Sequence, residues 1–253
     1  MTGLTDEQRT TWENTGHLTV PGVFSEADMR EADADLVRWG EDFLATLAPE
    51  NEAWFLEQST QQRVLRKLDN PVFHRPVFRQ LAKSPILLSL VEDLIGADLR
   101  VFFSQVFLKP PEAGGPKPVH QDNFYFGPAD RDRVLTVWIA IDEATTENGC
   151  LFFADGSHRT AVLPHVAPPD EPFNLQLPAE DAARFDMTAA PVSRGGVSFH
   201  HGNTLHQSSA NRSRNPRRAV AMHFLSGNNK LMAPALEYDP SVVVRVSGPT
   251  TGS

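Results

Sequence analysis

Apolar residues in the first third of the chain recur at helical spacing. Leu36, Trp39, Phe43, Leu44 and Leu47 keep this spacing, so that they line one face of an α-helix. Ser25-Glu26-Ala27-Asp28 opens that helix. An earlier helix starts at Thr5-Asp6-Glu7-Gln8, with Thr5 as N-cap and Gln8 at the capping-box position. Between the two, His17-Leu18-Thr19-Val20 predicts a short strand before Pro21-Gly22. Residues 48 to 72 are polar and irregular, with isolated Trp54, Phe55 and Leu56. Pro76 and Pro85 punctuate two further helical pieces, the second running from Ile86 to Ile95 and stopping at Gly96.

Near residue 98 the pattern changes. Leu99 to Lys109 is rich in β-branched and aromatic residues and stops at Pro110-Pro111, as a strand would. Val134 to Ile141 is a second strand, too apolar to have a wet face and so expected to be buried on both sides. Asn148-Gly149 is a hairpin signal before Cys150-Leu151-Phe152-Phe153. A Pro-rich stretch from Pro164 to Pro191 has no clear period apart from a helical turn near Glu180 to Phe185. Strands resume at Gly195 to His200 and Arg218 to Leu225, with a last short one at Ser241 to Val246. Helices followed by short strands predict an α+β, mainly β fold whose strands form a sandwich or barrel. The layout is one domain over 1–253, with a mainly helical flank at 1–97, a strand core at 98–246, an insertion or lid at 160–191 and a disordered tail at 247–253. A long structureless insertion of this kind tends to be functional.

The chain has 253 residues, 40% of them hydrophobic and 22% charged, an ordinary globular composition. The net charge of -9 disfavours nucleic acid or an anionic membrane as the main partner. No apolar run is long enough to span a bilayer, and the N-terminus lacks the basic-then-apolar order of a secretory signal. Cys150 stands alone, so no internal disulfide can form and a cytoplasmic location is expected. The basic cluster from Arg212 to Arg218 runs against the overall sign.

The candidate chemistry centres on Pro118-Val119-His120-Gln121-Asp122-Asn123-Phe124-Tyr125-Phe126. In an extended strand residues i and i+2 share a face, so His120 and Asp122 would aim at one point, as two metal ligands would. A His-x-Asp pair alone is weak, since a surface hydrogen-bonding pair gives the same pattern. His200, His201 and His206 are rival third ligands. His158, in Gly-Ser-His-Arg, reads as a turn residue, and His17, His74, His165 and His223 carry no pattern and default to core or surface roles.

A second stretch, Gly202 to Ala219, decides among these readings. Here the sequence resembles the phytanoyl-CoA dioxygenase family of Fe(II)- and 2-oxoglutarate-dependent oxygenases. His206, Ser208, Asn211-Arg212-Ser213 and Arg217 match a family unit of His, a Ser two residues on, an Asn-x-Ser and an Arg eleven residues on. His120-Gln121-Asp122, the strand through Trp138 to Asp142, and Glu147 to Leu151 leading to Gly156-Ser157-His158 match as well. The resemblance covers residues 98 to 226 well and the N-terminal helices loosely.

The resemblance implies a double-stranded β-helix (a jelly roll, cupin-like) with flanking N-terminal helices. It implies His120, Asp122 and His206 as metal ligands. Two His and one carboxylate leave open positions for a chelating 2-oxo acid and O2. Arg217 would clamp the far carboxylate of 2-oxoglutarate with its planar fork, helped by Ser208. Trp138 and Gln105 would lie beside the cosubstrate, although plain core packing explains Trp138 as well. Asn123 and Tyr125 would face the substrate, and Phe124-Tyr125-Phe126 would begin its wall. Arg212, Arg214 and Arg218 are expected to be solvated or paired, and Lys109 and Lys117 to be solvated.

The implied reaction is oxidation of a C–H bond of a small metabolite, by hydroxylation or by oxidative ring closure or desaturation. Its cofactors are Fe(II), 2-oxoglutarate and O2, and natural-product biosynthesis is its expected setting. Asp122 argues against a halogenase, in which a small residue replaces the carboxylate. The other readings are a cupin-like metal enzyme without 2-oxoglutarate, an acyl-CoA hydroxylase and a non-catalytic module. Substrate identity and oligomeric state are not legible. Specificity is expected in residues 48 to 72, in the Pro164 to Pro191 insertion and after Asp122.

Overall fold

The computed structural model describes residues 3–169, 171 and 174–248. Its helices are α1 (Asp6–Thr15), α2 (Glu26–Thr46), α3 (Glu52–Phe55), α4 (Pro71–His74), α5 (Pro76–Ala82), α6 (Pro85–Ile95), α7 (Asp122–Phe126) and α8 (Ala179–Ala182). Its strands are β1 (His17–Val20), β2 (Lys67–Asp69), β3 (Leu99–Lys109), β4 (Lys117–His120), β5 (Val134–Ala140), β6 (Leu151–Phe153), β7 (Thr188–Ala190), β8 (Val197–His201), β9 (His206–Ser208), β10 (Arg217–Ser226) and β11 (Val244–Arg245). The expected capping box of Thr5 with Gln8 forms, and Ser25 makes a second one with Asp28, each satisfying backbone donors that a helix start leaves free.

The strands make a jelly roll of two antiparallel sheets. The large one runs β1-β8-β5-β10-β3-β11, with β2 added on β3; the small one runs β4-β9-β6-β7. Strand alternation divides the large sheet between two environments. Leu135, Val137 and Ile139 of β5, with Val220, Met222 and Phe224 of β10, join Leu36, Phe78 and Leu87 of the helices in the main core. The intervening Thr136, Trp138, Arg217, Ala221 and His223 face a cavity between the sheets. Burial of all of β5 agrees with its expected lack of a wet face. A bulge lies where His223 pairs with Phe103 but Phe224 pairs with Val101. Phe102 is therefore the extra residue, and Phe102 and Phe103 both line the cavity, the redirection of side chains that bulges provide.

Some boundaries fall elsewhere than expected. β1 forms at the expected His17–Val20, and both it and β2, which was not expected, join the large sheet from within the mainly helical flank, while β7, within 160–191, completes the small one. Asn148-Gly149 does not make a hairpin. Gly149 and Cys150 donate to the Thr145 carbonyl, the Asn148 amide bonds back to Thr145 N and Glu143 O, and the chain crosses from the large sheet to the small one. Of the stretch read as a disordered tail, Ser247 accepts a hydrogen bond from Leu99 N at 3.0 Å, and residues 249–253 lie outside the described residues.

Candidate metal centre and substrate cavity

Pairing of β4 with β9 sets His120 opposite His206. β4 ends at His120, and Asp122 is the first residue of α7, so strand alternation is not what brings the pair together. The turn itself does so. Gln121 between them is pinned by Asn203 O (2.7 Å) and Leu163 N (2.8 Å), and Asp122 folds back towards the imidazoles. One ligand atom from each of His120, Asp122 and His206 lies within 4.8 Å of the others, a spacing that one metal ion can bridge. Both Nε2 atoms stand 3.8 Å from Asp122 Oδ1.

The surroundings fix how these groups present themselves. His120 Nδ1 lies 2.8 Å from Pro118 O, and His206 Nδ1 2.9 Å from Thr204 O. A carbonyl accepts only, so each Nδ1 carries the proton and each Nε2 keeps its lone pair. Burial, first of all, lowers both imidazoles, His206 to about 4. Burial pushes the Asp122 carboxyl up, but His206, the His200 hydrogen bond and the His200 and His223 imidazoles together hold it well below the usual range. Two neutral imidazoles and a carboxylate are the protonation state a divalent cation requires. Asp122 Oδ2 accepts from Thr136 Oγ1 (2.5 Å) and His200 Nε2 (3.1 Å), and Thr136 Oγ1 accepts in turn from His223 Nδ1 (2.9 Å). The outer oxygen is thereby occupied and Oδ1 is left facing the imidazoles.

His200 thus supports Asp122, whereas His201 bonds Asp132 away from the cavity. His223, read as patternless, is a correction: it lines the cavity and holds Thr136. Counting in twos back along β10 from His223 leads to Arg217, and that period was the available signal.

The cavity has a volume of about 910 Å³. Arg217 reaches it from β10, 2% exposed, with no carboxylate partner among the described residues and with Nε buried and unbonded. Its guanidinium lies over Trp138, 5.4 Å from the ring centroid, and burial lowers its pKa to about 10. Ser208 and Gln105 line the same space, the Gln105 amide donating to Asp69 Oδ1 at 2.8 Å. Tyr125 and Phe126 form part of the wall. Asn123 does not: it is buried against Asn203 Oδ1 at 2.7 Å and bonds Arg131 O. Phe124 instead stacks on His165.

The two lysines are not solvated. Lys109 Nζ donates to Gly115 O and Ser209 O, both at 2.6 Å. Lys117 Nζ donates to Tyr125 Oη at 2.9 Å and to Asn174 Oδ1. Burial, foremost, lowers Lys109 to about 6 and Lys117 to about 7. Arg218 pairs with Asp142 and Asp33, while Arg212 and Arg214 are exposed. The Asn211-Arg212-Ser213 motif closes a loop, with Asn211 bonding Lys109 O, Asn215 O and the Ser213 hydroxyl.

The sequence model of the family described as Phytanoyl-CoA dioxygenase (PhyH) matches residues 12–219. Phytanoyl-CoA dioxygenase domain-containing protein 1 of Rattus norvegicus is 34% identical over 175 residues, and the match covers 66% of this chain but only 59% of that protein. A probable alpha-ketoglutarate-dependent hypophosphite dioxygenase of Stutzerimonas stutzeri is 26% identical over 253 residues, 97% of this chain and 87% of that one. Among solved structures, the non-heme alpha ketoglutarate dependent carbocyclase SnoK from nogalamycin biosynthesis superposes with a TM-score of 0.74 at 22% identity, covering 96% of this chain and 97% of that one.

Proposed function

Because the chain belongs to the phytanoyl-CoA dioxygenase family, we propose that it is a non-haem Fe(II)- and 2-oxoglutarate-dependent dioxygenase that oxidises a C–H bond of a small metabolite. The observation that carries this reading is Arg217: a buried guanidinium with an unbonded Nε, in the same cavity as the His120, Asp122 and His206 group. A metal-only cupin needs no such cation, whereas a chelating diacid does. The carbocyclase neighbour, named for nogalamycin biosynthesis, supports a role in natural-product tailoring. Among the described residues no helix is long and apolar enough to cross a membrane. The lone buried Cys150 accords with a reducing, cytoplasmic setting.

His120 Nε2, His206 Nε2 and Asp122 Oδ1 would hold the iron, and their unused positions leave room for 2-oxoglutarate and O2. Together these groups supply oxidation of a substrate C–H bond, with succinate and CO2 as co-products. Arg217 binds the far carboxylate of 2-oxoglutarate, Trp138 keeps its plane fixed, and the Ser208 hydroxyl donates a further bond. Thr136 and His200 keep Asp122 from rotating. Tyr125 and Phe126 exclude water on the substrate side.

Fe(II) added anaerobically with 2-oxoglutarate should give a visible metal-to-ligand absorption band in the wild type and none in His206→Ala. A wild type without the band, or a variant that keeps it, would sink the assignment. Succinate release across a substrate panel then addresses the substrate.

A further inference from the structure

Lys117 lies in the same cavity with its side chain enclosed, and none of the roles above uses it. Its two partners, Tyr125 Oη and Asn174 Oδ1, are neutral acceptors. Tyr125 Oη gives its own proton to Leu175 O at 2.6 Å, which leaves its lone pairs for the ammonium. Among the described residues no carboxylate lies within ion-pair distance of Lys117. Several other buried or half-buried cations have a counter-charge: Lys67 pairs with Asp69, Arg75 with Asp35, and Arg218 with Asp142 and Asp33. Lys109 also lacks a carboxylate, but it ties two backbone carbonyls together and so has a structural task. An enclosed charge without a counter-charge is costly, and a fixed cost of this kind inside a binding cavity is relieved when an anion arrives.

We propose that Lys117 anchors an oxyanion of the substrate, so that the molecule oxidised is an organic acid, carboxylic or phosphoryl, with an apolar body. This deepens the dioxygenase reading and rests on it. Two placements support it. Lys117 and His120 are the two ends of β4, and the Tyr125 ring that Lys117 contacts stands edge-on to His120, 5.8 Å between centroids. The cavity also has an aromatic wall. Tyr238 packs on Phe102, Phe103 and Phe126 at 5.9, 5.2 and 5.8 Å, which suits an apolar body.

The test is calorimetric binding under anaerobic conditions, with Fe(II) and saturating 2-oxoglutarate on the full chain. The probes are decanoate, naphthoate and decyl phosphate, each against its neutral counterpart (decanamide, naphthamide and decanol). At least one acid should bind the wild type about tenfold or more tighter than its counterpart, the size of a charge-assisted hydrogen bond. The carboxylate and phosphate arms tell which oxyanion is preferred. Lys117→Met should erase the preference and Lys117→Arg retain it. Asn174→Asp, which supplies an internal counter-ion while leaving the lysine in place, should erase it too, and this variant carries the test if Lys117→Met does not fold. The proposal is overturned if no acid is preferred by the wild type, if the preference survives in Lys117→Met or Asn174→Asp, or if Lys117→Met weakens only 2-oxoglutarate. An intact iron–2-oxoglutarate band beside an absent acid preference removes this inference alone; an absent band in the wild type removes the reading beneath it.

Discussion

Thr136 shows how much of the site depends on one hydroxyl. Its proton goes to Asp122 Oδ2 and its lone pair meets His223 Nδ1, so Thr136→Val keeps the shape but leaves His223 Nδ1 without its partner and Asp122 Oδ2 with His200 Nε2 alone. Iron affinity in that variant should fall about 10- to 100-fold, the usual effect of losing such a support, as measured by competition with a chromophoric chelator. Unchanged affinity would mean that Asp122 is held without it. Arg217→Met should raise the 2-oxoglutarate dissociation constant by about tenfold or more while leaving iron binding alone, both readable by band titration. The two residues also differ in how legible they were. Arg217 and His206 stood out because they fall at fixed offsets within one contiguous stretch. Thr136, His200 and His223 lie on three strands, β5, β8 and β10, and meet only through registers such as His223 against Thr136 and Thr136 against His200. Such pairings have no local trace. Lys117 was misread for a related reason: its two partners come from α7 and from the insertion, and nothing at position 117 announces them.

At the level of elements, α7 is the piece the rest must accommodate. It begins with Asp122 and is capped at its C-terminus by Gly127, whose φ is +50°. The Gly127 carbonyl accepts from Met232 and Ala233, and a Cβ at Gly127 would lie 2.1 Å from Ala233 O. Gly127→Ala therefore adds left-handed strain to a clash with backbone. Urea unfolding should show a loss of about 1–3 kcal/mol, along with weaker ordering of the 231–239 segment that carries Tyr238. No loss would show that the two segments separate freely. β3, β5 and β10 were readable from sequence as strands by their β-branched and aromatic content. The bulge at Phe102 was not, because Phe102-Phe103 looks the same whether one ring or both face the cavity.

Across the whole molecule the order of helices and strands was legible from period and punctuation. The division into a helical flank and a strand core was not, because β1 and β2 reach the large sheet only through distant partners, β8 and β3. Folding this way also buries histidines in neutral form. His201, lowered by burial from 6.5 to about 4 against the raising effect of Asp132, is typical. Its folded value lies below its unfolded one, so between these values the unfolded chain binds more protons. Its contribution is intact above pH 6.5 and is lost as pH falls to about 4. The metal-free protein should lose stability across that window, and His201→Gln should remove one proton's share of the slope, about 1.4 kcal/mol per pH unit. Chemical denaturation at stepped pH measures it, and identical slopes would count against the assignment.

The two imidazole tautomers, set by Pro118 O and Thr204 O, have a consequence for which ion occupies the centre. Ligands already aimed before a metal arrives need little rearrangement to receive it, and such a site has few means of refusing the wrong one. Nitrogen and oxygen donors of this kind bind nickel, copper and zinc more tightly than ferrous iron. On the dioxygenase reading proposed above, correct loading would be governed by supply rather than by the protein, and cells with excess zinc or nickel would accumulate a folded, mismetallated and inactive protein.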